Sequence, residues 1–408
     1  MGLTVVQECP QCGAPIELDE THRLLRCPYC DVNSFLFADR YFRFVLPPKT
    51  PRKDLIYLPY LRFRGSVFSC HRDGVRHRIM DITHLSVPFK RVPVSLGLRP
   101  QAMKMRFVKA DTEGTFLKCL LKTEDLLARA EKHAGSMDSV QAFHRAYIGD
   151  TTSLIYLPMY VEGEVLFDAI TARPMAGLPR DRDIFSSIGE RNPGGGLTFL
   201  ATICPGCGWN LEGEQDSVVL TCSNCETAWE AKGRGFVKVD VLMGTGGRPD
   251  SDYLPFWSMT VEGRGVTIRS YADFMRITNQ PRVIRSHWEN RDMIFFSPAF
   301  KIRPKLFLFL SQRLTLGQPQ VDDRGKLPAK GLYPATLPLS EAVQGIKVTL
   351  AGCVITRKKI MPLLPRMGFA VRKASLVYLP FHETAHEMIN SETGVGINKK
   401  ALEFGRYL

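Results

Sequence analysis

Two stretches of the chain alternate apolar and polar side chains with a period of two. Leu61 and Phe63 oppose Arg62 and Arg64, and Trp257, Met259 and Val261 oppose Ser258, Thr260 and Glu262. Successive strand residues point to opposite faces, so each stretch predicts a strand with one buried and one solvated face. On this reading Phe63 points inward while Arg62 and Arg64 face water. Helical spacing occurs at 124–133, where Leu126, Leu127 and Ala130 share a face, and at 340–350, which Ser340 is placed to cap. The expected fold class is α+β with strands dominant.

Each alternating stretch follows a similar tetrad, and the tetrads expose an internal repeat. Tyr57-Leu58-Pro59-Tyr60 recurs as Tyr253-Leu254-Pro255-Phe256, and Tyr156-Leu157-Pro158-Met159 recurs as Tyr378-Leu379-Pro380-Phe381. Leu98-Arg99-Pro100 is echoed by Ile302-Arg303-Pro304. The offset grows from 196 to 222 between the first and last landmarks, which implies an insertion in the second half around 317–332. Proline lacks a ladder donor, so each tetrad should mark a strand start or an edge. The break between halves falls at Arg191-Asn192-Pro193-Gly194-Gly195-Gly196, where Pro and Gly end regular structure.

Cysteine follows the same repeat. Cys9, Cys12, Cys27 and Cys30 return 195 residues later as Cys204, Cys207, Cys222 and Cys225, both sets spaced C-x2-C-x14-C-x2-C. Four soft thiolates suit a tetrahedral Zn²⁺, and a C-x-x-C turn brings two of them to one ion. Gly13 and Gly208 directly follow the second cysteine, where the turn needs positive φ. These segments resemble the zinc-ribbon class of four-cysteine domains over about 22 residues in each half. The resemblance implies two structural, coordinatively closed Zn²⁺ ions and says nothing of activity. A redox dithiol expects one pair at a helix start, so doubled pairs at matched spacing favour metal; iron also fits four thiolates. Cys70, Cys119 and Cys353 remain, and read as small buried hydrophobes.

The expected organisation is a tandem duplication of a ribbon followed by a β-rich domain. The ribbons occupy 1–38 and 201–238, the β-rich α+β domains 39–192 and 239–408, with a Pro/Gly linker at 193–200.

One further motif carries chemistry. His382-Glu383-Thr384-Ala385-His386 matches H-E-x-x-H, in which two histidines hold zinc and the glutamate acts as base. That chemistry needs a helix, yet the motif directly follows a tetrad that elsewhere leads into a strand. In a strand the histidines would stand ~13 Å apart. A metallohydrolase is therefore the least favoured reading, no catalytic residue is assigned, and the chain is expected not to be an enzyme.

Charge adjusts this picture. The 408 residues carry a formal +13, and residues 39–109 hold 16 Lys/Arg against 4 Asp/Glu. Residues 357–373 add six basic residues and no acid. Two four-thiolate zinc sites would lower the effective charge to roughly +9. Arg40, Tyr41, Phe42, Arg43 and Phe44 interleave cations with rings, as surfaces for nucleic acid do. Inward aromatics would leave a solvated basic face instead. No apolar run reaches membrane-spanning length, and the N-terminus lacks a signal-peptide pattern, so a cytoplasmic protein is expected. The favoured function is a non-catalytic zinc-binding scaffold or adaptor presenting a partly basic surface to protein partners. The alternative is nucleic-acid binding through 39–109 and 357–373. Oligomeric state is open.

Overall fold

The structure, a computed structural model, describes residues 2–38, 40–89, 92–127, 142–177, 189–190, 196–322, 327–328 and 330–406. Most of the 191–196 break lies outside them. So does the second half of the expected helix at 124–133, including Ala130; its start is helical at 123–127.

Two compact units result, and neither is continuous in sequence. The first comprises Met1–Arg64, Asp81–Met137 and Thr151–Ala201; the second comprises Gly65–Met80, Asp138–Asp150 and Thr202–Leu408. Each has its own hydrophobic core, one around Phe44, Leu58, Tyr60 and Ile155, the other around Phe256, Trp257, Phe274 and Leu379.

In chain order the first strands are β1 (Thr4–Glu8), β2 (Pro15–Asp19), β3 (Leu24–Arg26), β4 (Asn33–Phe37), β5 (Phe42–Val45), β6 (Ile56–His71) and β7 (Gly74–Leu85). They continue with β8 (Met105–Phe107), β9 (Thr115–Leu117), β10 (His144–Glu162), β11 (Val165–Asp168), β12 (Arg173–Gly177), β13 (Gly189–Glu190) and β14 (Thr198–Ala201). Beyond them lie β15 (Val219–Cys222), β16 (Thr227–Lys232), β17 (Gly235–Val239), β18 (Val241–Gly244), β19 (Asp252–Arg264) and β20 (Ile294–Pro298). The last are β21 (Val321–Asp322), β22 (Gly368–Glu383), β23 (Glu387–Asn390) and β24 (Val395–Asn398). The helices are α1 (Arg99–Ala102), α2 (Tyr271–Thr278), α3 (Pro304–Gly317), α4 (Leu339–Cys353), α5 (Arg357–Ile360) and α6 (Lys399–Gly405). Strands dominate, in keeping with the α+β expectation.

The larger sheet runs β13-β9-β6-β10-β5-β8-β1-β2, with β7 beside β6 and β11 beside β10. The second large sheet runs β20-β19-β22-β18-β21, with β23 beside β22. Both contain a trio with the same order, β6-β10-β5 and β19-β22-β18. In both, the middle strand pairs in parallel with the third, Tyr156 facing Val45 and Tyr378 facing Met243. The turns that follow also correspond. Asp168 Oδ1 accepts from the amides of Ile170 and Thr171 at 2.8 and 3.4 Å, and Asn390 Oδ1 accepts from the amide of Thr393 at 2.9 Å. Ala172 and Gly394 then take positive φ of 56° and 66°. All three positions share the 222-residue offset of the second tetrad pair.

The tetrad prolines do not lie on edges. Instead each sits just outside the ladder on one flank of its strand. Pairing of β9 with β6 covers Ile56 and Tyr57, before Pro59, and β20 joins β19 from Phe256, after Pro255. Pairing of β5 with β10 stops at Tyr156, before Pro158, and that of β18 with β22 stops at Tyr378, before Pro380. The missing N–H therefore has a flank where no neighbour asks for it.

Alternation behaves differently in the two units. On β19, Trp257, Met259 and Val261 are buried and Glu262 is exposed as the pattern predicts, but Ser258 on the expected solvated face is buried, donating to Ser375 O at 3.2 Å, and Thr260 is half-buried. On β6, Arg62 and Arg64 are only 2% and 7% exposed, which corrects the expectation that they face water. Glu20, itself 1% exposed, and Asp81 of the neighbouring β7 meet them on that face. Arg62 donates to Glu20 and to Asp81, the latter at 3.0 and 3.1 Å, and Arg64 lies 3.3 Å from Glu20.

One helix reading also changes. Ser340 lies inside the first turn of α4, whose N-cap is Pro338 with no side-chain cap. The apolar run at 305–310 forms part of α3, which opens on Pro304. The best-capped helix is α2, where Ser270 and Asp273 form a capping box.

Candidate metal centres

The first cysteine quartet is held by two hairpin turns. β1 and β2 pair as far as Glu8 opposite Pro15, so the chain must reverse within six residues. The amide of Cys9 donates to Ala14 O at 2.8 Å, that of Gly13 to Cys9 O at 2.9 Å, and Gly13 takes φ 74°. The second turn, between β3 and β4, repeats this arrangement. Cys27 N donates to Val32 O at 3.1 Å, Asp31 N to Cys27 O at 3.0 Å, and Asp31 takes φ 58°. Asparagine and aspartate tolerate that conformation better than most side chains.

The second quartet is built alike. Cys204 N donates to Trp209 O at 2.7 Å, Gly208 N donates to Cys204 O at 2.9 Å, and Gly208 has φ 75°. Cys222 and Cys225 lie on the β15–β16 turn, where Glu226 takes φ 54°. The two positive-φ positions filled by Gly are visible in the sequence; those filled by Asp31 and Glu226 are not.

Each quartet gathers its four Sγ atoms within 4.8 Å of one another. Cys9 lies 3.7 Å from Cys30 and Cys12 lies 3.6 Å from Cys27; in the second quartet Cys204–Cys225 and Cys207–Cys222 are both 3.5 Å. A tetrahedron with metal–sulfur bonds of ~2.3 Å has edges of ~3.8 Å, so these spacings fit an ion and are far too long for disulfides. Sulfurs from both turns converge on one point in each quartet, whereas a redox dithiol pairs only the two sulfurs of one C-x-x-C. Burial also matches: the first and third cysteines of each set are buried, the second exposed and the fourth intermediate. The eight cysteines can thus hold two metal ions, four sulfurs each.

Local donors favour the thiolate form at part of each quartet, while burial and the neighbouring sulfurs push Cys30 and Cys222 up to about 12. The Cys12 amide draws Cys9 down to about 7. The Asn224 side chain, then the Trp209 amide, draw Cys207 down to about 6.

The two centres differ in their surroundings. In the second, Thr227 Oγ1 stands 3.0 Å from Cys225 Sγ and accepts from Trp229 Nε1 at 2.8 Å. Indole N–H can only donate, so the threonine proton is left to point at the sulfur. At the corresponding places the first centre has Tyr29 for Asn224 and Val32 for Thr227, both exposed at 70% and 38%. Outer hydrogen bonds of this kind change metal affinity by roughly 10–100-fold. Thr227→Val is therefore expected to speed metal loss from the second centre about tenfold. Competition with a chromogenic chelator measures it; two release phases that do not respond to the substitution would contradict this role.

No protein-family model matches the chain, and no curated protein or solved structure matches it. The centres stand on their own geometry.

The H-E-x-x-H segment takes neither of the two arrangements considered for it. His382 and Glu383 end β22, facing Ile389 and Met388 of β23. The strand does not continue to His386, because Thr384 closes a turn through Glu387 O at 2.8 Å. No helix presents the histidines on one face. His382 Nδ1 meets Ser391 Oγ at 3.2 Å, and Glu383 pairs with Lys399. Among the described residues, three or more ligand-type side chains converge only at the two cysteine quartets.

Of the remaining cysteines, Cys70 and Cys353 are buried as expected, whereas Cys119 is half-buried. Burial pushes Cys70 up to about 12 and His144 down to about 4, with Lys347 near both. At neutral pH that cluster holds a thiol and a neutral imidazole, the wrong states for a thiolate–imidazolium nucleophile.

The basic stretch at 39–109 is largely committed to the fold. Phe42, Phe44 and Phe63 are core residues, and Phe42 and Phe44 lie 5.3 and 5.0 Å from the Phe107 ring. Arg52 pairs with Asp54 and Glu162, Lys53 with Glu113, Lys104 with Glu17, Lys109 with Glu8, and Arg99 with Asp168.

Proposed function

We propose that this chain is a non-catalytic zinc-binding scaffold that presents a partly basic surface to macromolecular partners. Its two structural zinc ions are held by Cys9, Cys12, Cys27 and Cys30 and by Cys204, Cys207, Cys222 and Cys225. The shared strand trio, the matching Asp168 and Asn390 turns and the repeated cysteine turns support an origin by duplication of a ribbon followed by a β-rich domain. On that reading the ribbons are 1–38 and 201–238, and the β-rich domains 39–192 and 239–408.

The observation that carries the proposal is the closure of both centres. Four protein sulfurs complete a tetrahedral shell and leave no position for water or substrate, which is the mark of a structural zinc rather than a catalytic one. The alternative of nucleic-acid binding through 39–109 loses part of its support, since Phe42, Phe44 and Phe63 are inside and at least half of the sixteen cations are paired with carboxylates.

Cross-linking of the full-length protein in cell extract, followed by mass spectrometry, is expected to recover a defined protein partner that survives nuclease treatment. Glu383→Gln is expected to leave that partner and a content of two zincs unchanged. A third zinc per chain, together with hydrolytic turnover lost in Glu383→Gln, would replace the scaffold by a hydrolase.

A further inference from the structure

Three segments of the second unit meet at a surface that combines positive charge with exposed aliphatic side chains. The first is the tip of the β6–β7 hairpin, with Arg72 and Arg76. The second is α5 and the 3-10 turn after it. The third is the loop that follows α2. Arg357 joins the first two by donating to Asp73 O, and its guanidinium packs against Gly74. The second and third are tied by Ile355 N donating to Thr278 O at 3.0 Å and Asn279 Nδ2 donating to Thr356 Oγ1 at 2.8 Å. Gln280 Nε2 adds a bond to Cys353 O at 2.6 Å.

Residues 72–78, 282–291 and 357–366 contain ten Lys/Arg and two acids. The acids are engaged locally, Asp73 by Arg76 and Glu289 by Arg276. Among these cations stand Val283, 89% exposed, Ile355, 54%, and Leu363, 43%. Single exposed apolar residues are ordinary, but three on segments tied to one another, each close in sequence to Lys or Arg, make two complementary demands. It calls for a partner that is negatively charged and that has apolar material just beneath the charge.

We propose that this face of the second unit docks on anionic lipid bilayers. Arg and Lys would meet the headgroups while Val283, Ile355 and Leu363 enter the headgroup–acyl boundary. Nucleic acid satisfies the charge but not the aliphatics. Binding of unpaired bases uses exposed Phe, Tyr or Trp rings, and Trp288, the one such residue of this loop, is half-buried with its ring 4.9 Å from that of Tyr271. The proposal deepens the scaffold reading by naming a surface to which the scaffold attaches.

Co-sedimentation of the full-length, zinc-loaded protein with phosphatidylserine-containing vesicles tests it against phosphatidylcholine alone. Binding is expected only to the anionic vesicles. Each cation at such a surface contributes about fivefold in partitioning, so Lys358→Gln with Lys359→Gln should weaken binding about 25-fold. Val283→Ser with Ile355→Ser keeps the charge and should still weaken it about tenfold. Unchanged vesicle binding in the serine pair, or equal binding to neutral vesicles, overturns the proposal. Tighter binding to an oligonucleotide that ignores the serine pair would assign the face to nucleic acid instead. Failure here would leave the two-zinc content and the cross-linked protein partner as they are, so it is distinguishable from failure of the scaffold reading.

Discussion

Replacing Cys204 with serine is expected to halve the zinc content from two to one and to unfold the segment from β15 to β17 and the turn before it. Apart from the metal, this ribbon is held to its unit by Val219 and Ala228 in the core, by Val218 N donating to Ala335 O at 2.8 Å and by Arg406 pairing with Asp216. The strands of this ribbon, β15-β16-β17, form a three-stranded sheet of their own, and a hairpin of this size does not fold on apolar burial alone. Metal binding then supplies the folding free energy, and structural zinc in isolated ribbons is worth on the order of 10 kcal/mol. Loss of one of four sulfurs should therefore cost several kcal/mol locally. The measurements are metal content and limited proteolysis with mass mapping. Cleavage confined to 203–239, with the rest intact, is the predicted pattern. A Cys204→Ser protein that keeps two zincs and full protease resistance would contradict it. Cys9→Ser should act in the first unit in the same way, with a smaller structural loss. There β1 and β2 are also anchored in the large sheet through β8.

The second large effect concerns a residue that no pattern announces. Glu20→Ala should destabilise the first unit by about 3–5 kcal/mol, because it removes the buried carboxylate that two buried guanidiniums share. Arg62 and Arg64 reach Glu20 from β6, and the Arg62 and Glu20 side chains are 2% and 0% exposed. Asp81 answers only Arg62, and its own side chain is 37% exposed. A removed partner leaves the remaining charge with its full desolvation cost, whereas removing the whole cluster does not. Equilibrium urea unfolding followed through the tyrosines of the first unit measures the loss. Glu20→Leu combined with Arg62→Met and Arg64→Leu should recover most of it. A Glu20→Ala protein within about 1 kcal/mol of the parent would show that the arginines find other partners, as exposed ones do.

The candidate centres were legible in the sequence because their chemistry is local. Four cysteines at fixed spacing, with Gly13 and Gly208 after the first pair, specify the turns before any tertiary contact forms. The alternating stretch on β19 was legible in part: its apolar face is buried and Glu262 is exposed, but Ser258 is buried. The same rule misplaced Arg62 and Arg64, and the difference is long-range. Whether a polar face is solvated depends on what covers it, and here Glu20 comes from 42 residues away. The repeat of Asp168 and Asn390 turns was present at the 222-residue offset but was hidden, because Asp and Asn do the same backbone-bonding work without being identical. The H-E-x-x-H motif shows the converse. Five residues match a pattern, yet the turn closed by Thr384 removes the helix on which the pattern depends.

X-ray absorption at the zinc edge, taken on full-length protein with its metal content determined, tests the central claim most directly. The account predicts two zincs per chain, each with four sulfurs at ~2.3 Å and no nitrogen or oxygen neighbour. A shell containing histidine nitrogen or water, or cysteines found oxidised to disulfides with no metal bound, would contradict it.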